Sequence, residues 1–336
     1  MYESLHNHTL ASDGSQTYLE VLETAKDLGF GMIAFTDHDS LPDEKALNQL
    51  AFYEGPVKWF LGCEISSGLP KELGGDPTGS LHILGLFTDP DDDALREHCR
   101  KANAARTERM ELMVGNLQRI GLTISVADCL HESGGENVGR RHIAQAIFAH
   151  PENEEVIDRI KDEMEVAARD DSGVAMQYMR LLERDRSDYP FRLFLAPEAF
   201  LSEVYVDYLY WVDMDSAVKL IRDAGGIAIL AHWFTIKDSM SLEMVENMLR
   251  DGRLDGIEIM GKPGNGDAVR SAPAMKELAE KTGCVATYGI DGHSYGQMRG
   301  FASDRALAES TAGQTRAIIK RFKPDLGWTN FPDGLE

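Results

Sequence analysis

"YESLHNHTLASDGSQTYLEVLETAKDLGFGMIAFTDHD", residues 2–39, sets the rhythm from which the fold is read. "YESLHNH" reads as a short strand. "QTYLEVLETAKDLGF" then puts Tyr18, Val21, Leu22, Ala25 and Leu28 on one helical face, with Gly29 as a stop signal. "GMIAFTDHD" is an apolar run that enters a polar turn. Buried apolar strands joined by helices imply a parallel sheet or a barrel.

The same alternation returns late in the chain. "DSAVKLIRDAGG" and "SLEMVENMLRDG" are helical patterns, each followed by a buried strand, "IAILAH" and "GIEIM". "SAPAMKELAEKTG" and "CVATYGID" repeat the pair. Between about Asp91 and Met214 strand signals thin out, and "PENEEVIDRIKDEMEVAARDDSG" is heavily acidic. We therefore expect residues 1–92 and 214–336 to form the two parts of one α/β domain, with residues 93–213 a mainly helical insertion or cap. A separate helical domain is the alternative, weakened by the matching rhythm on either side.

Composition bounds the function. The 336 residues carry 56 acidic against 34 basic side chains, a net charge of −22. Such a surface repels a phosphate backbone, so tight binding to duplex DNA is not expected. A small phosphorylated ligand is admissible where bound metal inverts the local field. Cys63, Cys99, Cys129 and Cys284 are scattered without a CxxC pair and read as reduced thiols. "MYESLHNH" lacks the pattern of a signal peptide and no segment has the length of a membrane helix, so a cytoplasmic protein is expected, with no membrane and no protein partner indicated.

Alternation in a strand lets His6 and His8 reach one point in space. An HxH pair alone is weak, since histidines at that spacing are often solvated. The other polar residues change the reading. Asp13 sits in the turn after the first strand, Asp37 and His38 follow "GMIAFT", and Glu64 follows "VKWFLGC". His82 begins "HILGLF", His232 ends "IAILAH", and Asp291 and His293 follow "CVATYGI". Nearly every expected strand delivers a ligand-type side chain, mostly at its C-terminal end. Core packing does not explain this, because such groups are costly when buried unpaired, and the C-terminal face of a barrel is where catalytic residues gather. Imidazole and carboxylate without thiolate suit Mn, Fe or Zn. Cys63 points to the opposite face of its strand from Glu64 and reads as a small buried residue.

The ordered set resembles the polymerase and histidinol phosphatase (PHP) family of metal-dependent phosphoesterases. All nine ligand types of that family can be read here: His6, His8, Asp13, His38, Glu64, His82, His232, Asp291 and His293. The resemblance implies an α/β fold, a distorted (β/α)7 TIM-like barrel, holding two or three divalent metal ions. One ion would take His6, His8, Glu64 and Asp291. A second would share Glu64 and add His82 and His232, and a third would be held by Asp13, His38 and His293. Asp37 matches an acidic motif position that is not a ligand, and is expected to orient a neighbouring ligand.

"VGRRHIAQAIFAH", within the insertion, resembles the GRxHIA element of PHP phosphatases that act on 3′,5′-bisphosphate nucleotides and short RNA ends. The resemblance makes Arg140 and His142 phosphate contacts, in keeping with the match between a guanidinium fork and phosphate oxygens. The plain alternative is an amphipathic helix with a basic start, an arrangement the helix dipole disfavours. The chain departs from the family at Trp233, where proline is usual, at Ile290, where serine is common, and in a long connection at residues 187–211. Trp233 would stack on a base or pack.

The expected activity is therefore hydrolysis of a phosphomonoester, most naturally the 3′-phosphate of a 3′,5′-bisphosphate nucleotide, with trimming of short RNA 5′ ends as an extension. Metal-activated hydroxide would attack, Arg140 and His142 would stabilise the phosphoryl oxygens, and His232 or a metal-bound water would protonate the leaving group. Asp291 and His232 are thus expected to serve catalysis as well as metal binding. The rivals are a histidinol-phosphate-type or other small-molecule phosphatase of the same family, a metal-dependent hydrolase of C–N bonds, and a degenerate domain serving as a binding module.

Overall fold

A computed structural model describes residues 1–134, 137–260 and 266–323. Residues 261–265 and 324–336 of the expected second α/β part, and 135–136 of the insertion, lie outside the described residues.

The opening pattern folds as its residues dictate. Strand β1 (Tyr2–Ser4), the helix Tyr18–Leu28 and strand β2 (Phe30–Phe35) follow one another. Thr17 starts the helix with a capping box: its hydroxyl accepts from the Glu20 N–H, and the Glu20 carboxylate accepts from the Thr17 N–H at 2.7 Å. Gly29 ends it at φ +85°, a left-handed conformation that costs glycine nothing. Tyr18, Val21, Leu22 and Ala25 turn inward onto Phe30, Ile33 and Phe35.

Six further strands complete the sheet: β3 (Lys58–Gly68), β4 (Pro77–Leu86), β5 (Val212–Asp213), β6 (Ile227–Leu230), β7 (Gly256–Met260) and β8 (Val285–Gly289). Their order is β1-β2-β3-β4-β6-β7-β8, with the short β5 paired to β3. The sheet is mixed, whereas the alternating pattern implied a parallel one. β4 runs antiparallel to both neighbours, with Glu64 opposite Leu84 and Leu84 opposite Ile229. The cause is local: residues 69–76, which join β3 to β4, are too few for a crossover helix, so the chain turns straight back.

At the two ends of this order the backbones of the first and last strands meet. The Leu5 N–H donates to Tyr288 O at 3.2 Å, the His8 N–H donates to Gly292 O at 2.8 Å, and Asn7 and Gly292 form a parallel bridge. Met32, Ala34, Phe60, Leu84, Ile229 and Val285, drawn from five strands, share one buried cluster. Each large apolar side chain so buried contributes about 1.5–3 kcal/mol.

The chain divides into two compact units, residues 1–101 together with the chain from 211 onward, and residues 102–210. The long helix Asp93–Arg119 runs through that division, and its Leu95 and Cys99 pack with Met214 and Ile221 of the sheet unit. The second unit is helical, with helices Val126–Ser133, Arg140–Phe148, Asn153–Ala167 and Ser172–Leu182. Its own core holds Met113, Leu117, Ile143, Ile147, Ile160 and Phe194. Phe194 and Val204 come from the long connection at 187–211, which therefore serves as core of this unit. Among the described residues no helix is long and apolar enough to cross a membrane.

Glu3 ties the last helix to the sheet. Its fully buried carboxylate accepts from the Gly313 N–H at 2.7 Å, the Thr315 N–H at 2.8 Å and the Thr315 hydroxyl at 2.6 Å. These donors form the first turn of the helix Gln314–Phe322, where negative charge is favoured. Glu3→Ala strands three donors, so we expect a loss of about 2–4 kcal/mol in stability, read as a lower urea midpoint.

Candidate metal centre

Each expected ligand arrives by a local rule. Asn7 turns away from the site and locks its strand end to β2: its side chain donates to Ser4 O at 2.9 Å and to Ala34 O at 3.0 Å. Alternation then sends His6 and His8, both buried, to the other side. His38 follows β2, and Glu64 bridges to it within β3. His82 lies inside β4, and His232 and Asp291 follow β6 and β8. The expectation of ligands mostly at strand C-termini holds for the parallel strands after which His38, His232 and Asp291 come. Glu64 and His82 sit inside their strands, and the antiparallel β4 delivers His82 from the opposite direction.

One carboxylate stands at the middle. Glu64 Oε2 is 3.1 Å from His6 Nε2, 3.2 Å from His8 Nε2 and 3.0 Å from His38 Nδ1. Glu64 Oε1 is 3.0 Å from both His82 Nδ1 and His232 Nε2. Asp291 Oδ1 lies 3.3 Å from His8 Nε2 and 3.6 Å from His6 Nε2. Asp13 Oδ1 is 3.1 Å from His293 Nε2 and 3.9 Å from His38 Nε2. All nine expected ligands thus come together. Among the described residues three groups have donor atoms close enough for one ion each: His6, His8 and Glu64; His38, Glu64 and His82; and His8, Asp13, His38 and His293. His8 and His38 each belong to two groups, so the side chains do not sort into three separate sets.

The donors fit divalent cations on the observations themselves. Glu64 Oε2 and Asp13 Oδ1 are shielded from solvent and accept no hydrogen bond, although imidazole nitrogens stand within 3.2 Å of each. His6 Nε2 and His8 Nε2 face each other at 3.1 Å, as do His82 Nδ1 and His232 Nε2. Ligands about 2.1 Å from a common ion stand roughly 3.0–3.4 Å from one another in octahedral or tetrahedral arrangement, which is the spacing observed.

Protons partly compensate the buried charge. Burial pushes the His6 imidazole down, but Glu258 and Glu64 outweigh it and hold it well above its usual value. His8 is likewise opposed by burial and raised to about 10 by Asp291 and Glu64. Burial raises the Glu64 carboxyl, yet the surrounding histidines hold it well below the usual carboxylate range. His82 goes the other way, down to about 4, because burial prevails.

Supporting residues include one that the sequence reading missed. Glu258, buried on β7, accepts from His6 Nδ1 at 2.9 Å and from the His232 N–H at 3.0 Å, orienting two ligands at once. The charge inside the apolar run "GIEIM" was the available signal. Gly289 makes room for that contact: a Cβ there would stand 2.4 Å from Glu258 Oε1 and 2.5 Å from His6 Cβ. Asp37 accepts from the Thr9 N–H, the Thr9 and Ser12 hydroxyls and Tyr18 OH, so it fixes the loop after His8. Its carbonyl accepts from the Glu64 N–H at 3.1 Å, and its carboxylate reaches His8 only through the Ser12 hydroxyl, 3.4 Å from His8 Nδ1. Trp233 donates to Met240 O at 2.8 Å and packs on the core. Cys63 is buried on the face opposite Glu64, its thiol pushed well up by a neighbouring Cys99 and by burial.

Arg140 and His142 belong to the helical unit. Arg140 Nη1 donates to Leu195 O at 3.2 Å, and the buried His142 accepts from the Gly139 N–H at 3.1 Å through Nδ1, closing its own helix start.

The PHP domain family matches residues 4–177 of the chain. The 3′,5′-nucleoside bisphosphate phosphatase of Chromobacterium violaceum is 25% identical over 298 residues, 87% of each chain. The phosphoribosyl 1,2-cyclic phosphate 1,2-diphosphodiesterase of Eggerthella lenta is 25% identical over 296 residues, 87% of this chain and 94% of that one. A crystal structure of a proposed metal-dependent phosphoesterase from Bifidobacterium adolescentis superposes with a TM-score of 0.65 at 22% identity, covering 95% of this chain and 96% of that one.

Metal binding must displace the proton that His8, raised to about 10, carries near neutral pH in the metal-free chain. We expect Mn affinity to rise about tenfold or more per pH unit between pH 6 and 8. Calorimetry in two buffers of different ionisation enthalpy should report net proton release.

Proposed function

This chain belongs to the PHP domain family and is a metal-dependent phosphoesterase, and from that premise we propose that it hydrolyses the 3′-phosphate of a 3′,5′-bisphosphate nucleotide. The observation that carries the chemistry is Glu64, a buried carboxylate with five imidazoles facing its two oxygens. The choice of nucleotide rests on Arg140, His142 and the 25% identity to a bisphosphate phosphatase over most of the chain. We read the mixed sheet as the distorted (β/α)7 barrel expected from sequence, supported by the isolated Asn7–Gly292 bridge just beyond the ends of β1 and β8. The free thiols Cys63, Cys99, Cys129 and Cys284 support a cytoplasmic location.

In this reading His6, His8, Asp13, His38, Glu64, His82, His232, Asp291 and His293 hold two or three divalent ions, Mn, Fe or Zn. The ions supply the positive charge that polarises a phosphoryl group and acidifies water. The chain's own residues do the rest. Glu64 ties the donor groups together through its two oxygens, and Glu258 fixes the ring of His6 so that Nε2 faces the centre. Arg140 and His142 bind phosphate oxygens and steady the charge that builds on them. Thr235 Oγ1 lies 3.2 Å from His232 Nδ1 while Glu64 takes Nε2, so both ring nitrogens of His232 are engaged. His232 is thereby held in place as a ligand, and in this reading the leaving alkoxide takes its proton from water.

A second reading, cleavage of a phosphodiester, is favoured by the diphosphodiesterase among the relatives, and the trimming of short RNA 5′ ends expected from sequence is one such cleavage. One assay series separates the two. The purified protein should contain Mn, Fe or Zn by elemental analysis and release inorganic phosphate from adenosine 3′,5′-bisphosphate faster than it shortens a 5′-phosphorylated trinucleotide. Asp291→Asn and His8→Ala should each lower kcat by about 100-fold or more while circular dichroism is unchanged. A metal-loaded protein that releases no phosphate from any nucleotide would overturn the proposal.

A further inference from the structure

The helical unit contains a buried cation that the reading above does not use. Arg109, on the helix Asp93–Arg119, is only 6% exposed. Its Nε donates to Val206 O at 2.6 Å, but its Nη2 is shielded from solvent and has no hydrogen-bond partner. The guanidinium lies 4.5 Å from the ring centre of Tyr208 and 5.0 Å from that of Tyr205. Arg140 approaches the same Tyr205 ring at 5.9 Å. Among the described residues neither arginine is paired with a carboxylate, in a chain where acidic side chains greatly outnumber basic ones.

This combination is unusual on physical grounds. A buried guanidinium normally finds a carboxylate or fills its donors with carbonyls. Here a second arginine shares its tyrosine, and both burial and the nearby charges of Arg140 and Arg106 work against the charge on Arg109. The tyrosine faces offset part of that cost through cation–π contact, and they hold the guanidinium plane in a fixed orientation. What remains unmet is a negative partner for Nη2. A phosphate supplies it, because its oxygens match a guanidinium fork and its charge compensates two arginines together.

We propose that Arg109 and Arg140, held on Tyr205 and Tyr208, form a phosphate-binding site of the helical unit in which Arg109 Nη2 is a direct donor. For Arg140 this rests on the phosphate role proposed above; the role of Arg109 is independent of it. The ligand class is a phosphate group of the substrate, free or esterified, and the site binds it without metal.

Titration calorimetry of the metal-stripped full chain with inorganic phosphate tests the assignment. Wild-type protein should bind phosphate, and Arg109→Gln should bind one equivalent fewer or at least tenfold more weakly, with its circular dichroism unchanged. Arg109→Lys keeps the charge but loses the planar fork, and should fall between the two; it decides the matter should Arg109→Gln not fold. Wild-type phosphate stoichiometry and affinity in a folded Arg109 variant would overturn the proposal, as would a wild-type chain that binds no phosphate. The readout needs no turnover, so a failure to hydrolyse nucleotides would count against the enzymatic reading alone.

Discussion

Glu64 is the constraint around which the sheet unit is arranged. A fully buried carboxylate is costly unless it is paired on every side. Here the pairing comes from His6, His8, His38, His82 and His232, which are spread over more than two hundred residues of chain. His6 and His8 are pushed up while His82 is pushed down, so protonation alone leaves the cluster unevenly compensated. Multivalent cations meet the same demand with fewer bodies and leave every imidazole neutral.

The surrounding structure is organised to hold that arrangement still. Asn7 is spent on backbone carbonyls so that its neighbours face inward, and Gly289 is bare so that Glu258 can reach His6. Three of the four non-glycine residues at positive φ among the described residues lie here; the fourth, Phe87, stacks on Phe60 in the core. Asp39, His232 and Asp291 adopt φ of +44°, +23° and +50°, a region non-glycine residues rarely occupy. Each follows the end of a strand, and in each the turn re-aims a polar side chain that a relaxed extension of the strand would send elsewhere. Asp39 uses its turn to accept from the Ser66 N–H and from His98, bracing β3 next to Glu64.

The helical unit follows different physics. Its core is apolar and self-contained, and its polar interest lies in arginines without carboxylate partners. In an acidic chain, two arginines that pair with no carboxylate are an exception to the surrounding charge balance. The two units thus differ in their polar chemistry: imidazoles and carboxylates cluster in one, and the other holds arginines without carboxylate partners.

Local pattern was enough for much of this protein. The helix Tyr18–Leu28 was legible because its cap, apolar face and terminal glycine all act within a few residues of one another. The nine candidate ligands could be named because chain order, which carries the family resemblance, and strand alternation are properties of the sequence, and His6 and His8 do emerge on one side. Three things were decided only in three dimensions. The direction of β4 depended on a turn too short for a helix, which sheet pairing and not periodicity reveals. The contacts of Glu258 and Arg109 depended on partners about 250 and 100 residues away, which no local window contains. The sharing of His8 and His38 between donor groups depended on distances of a few tenths of an ångström. Sequence determines which side chains a strand presents and on which face; long-range packing alone determines which of them meet, because contact energies between distant residues exist only once the backbone has closed around them.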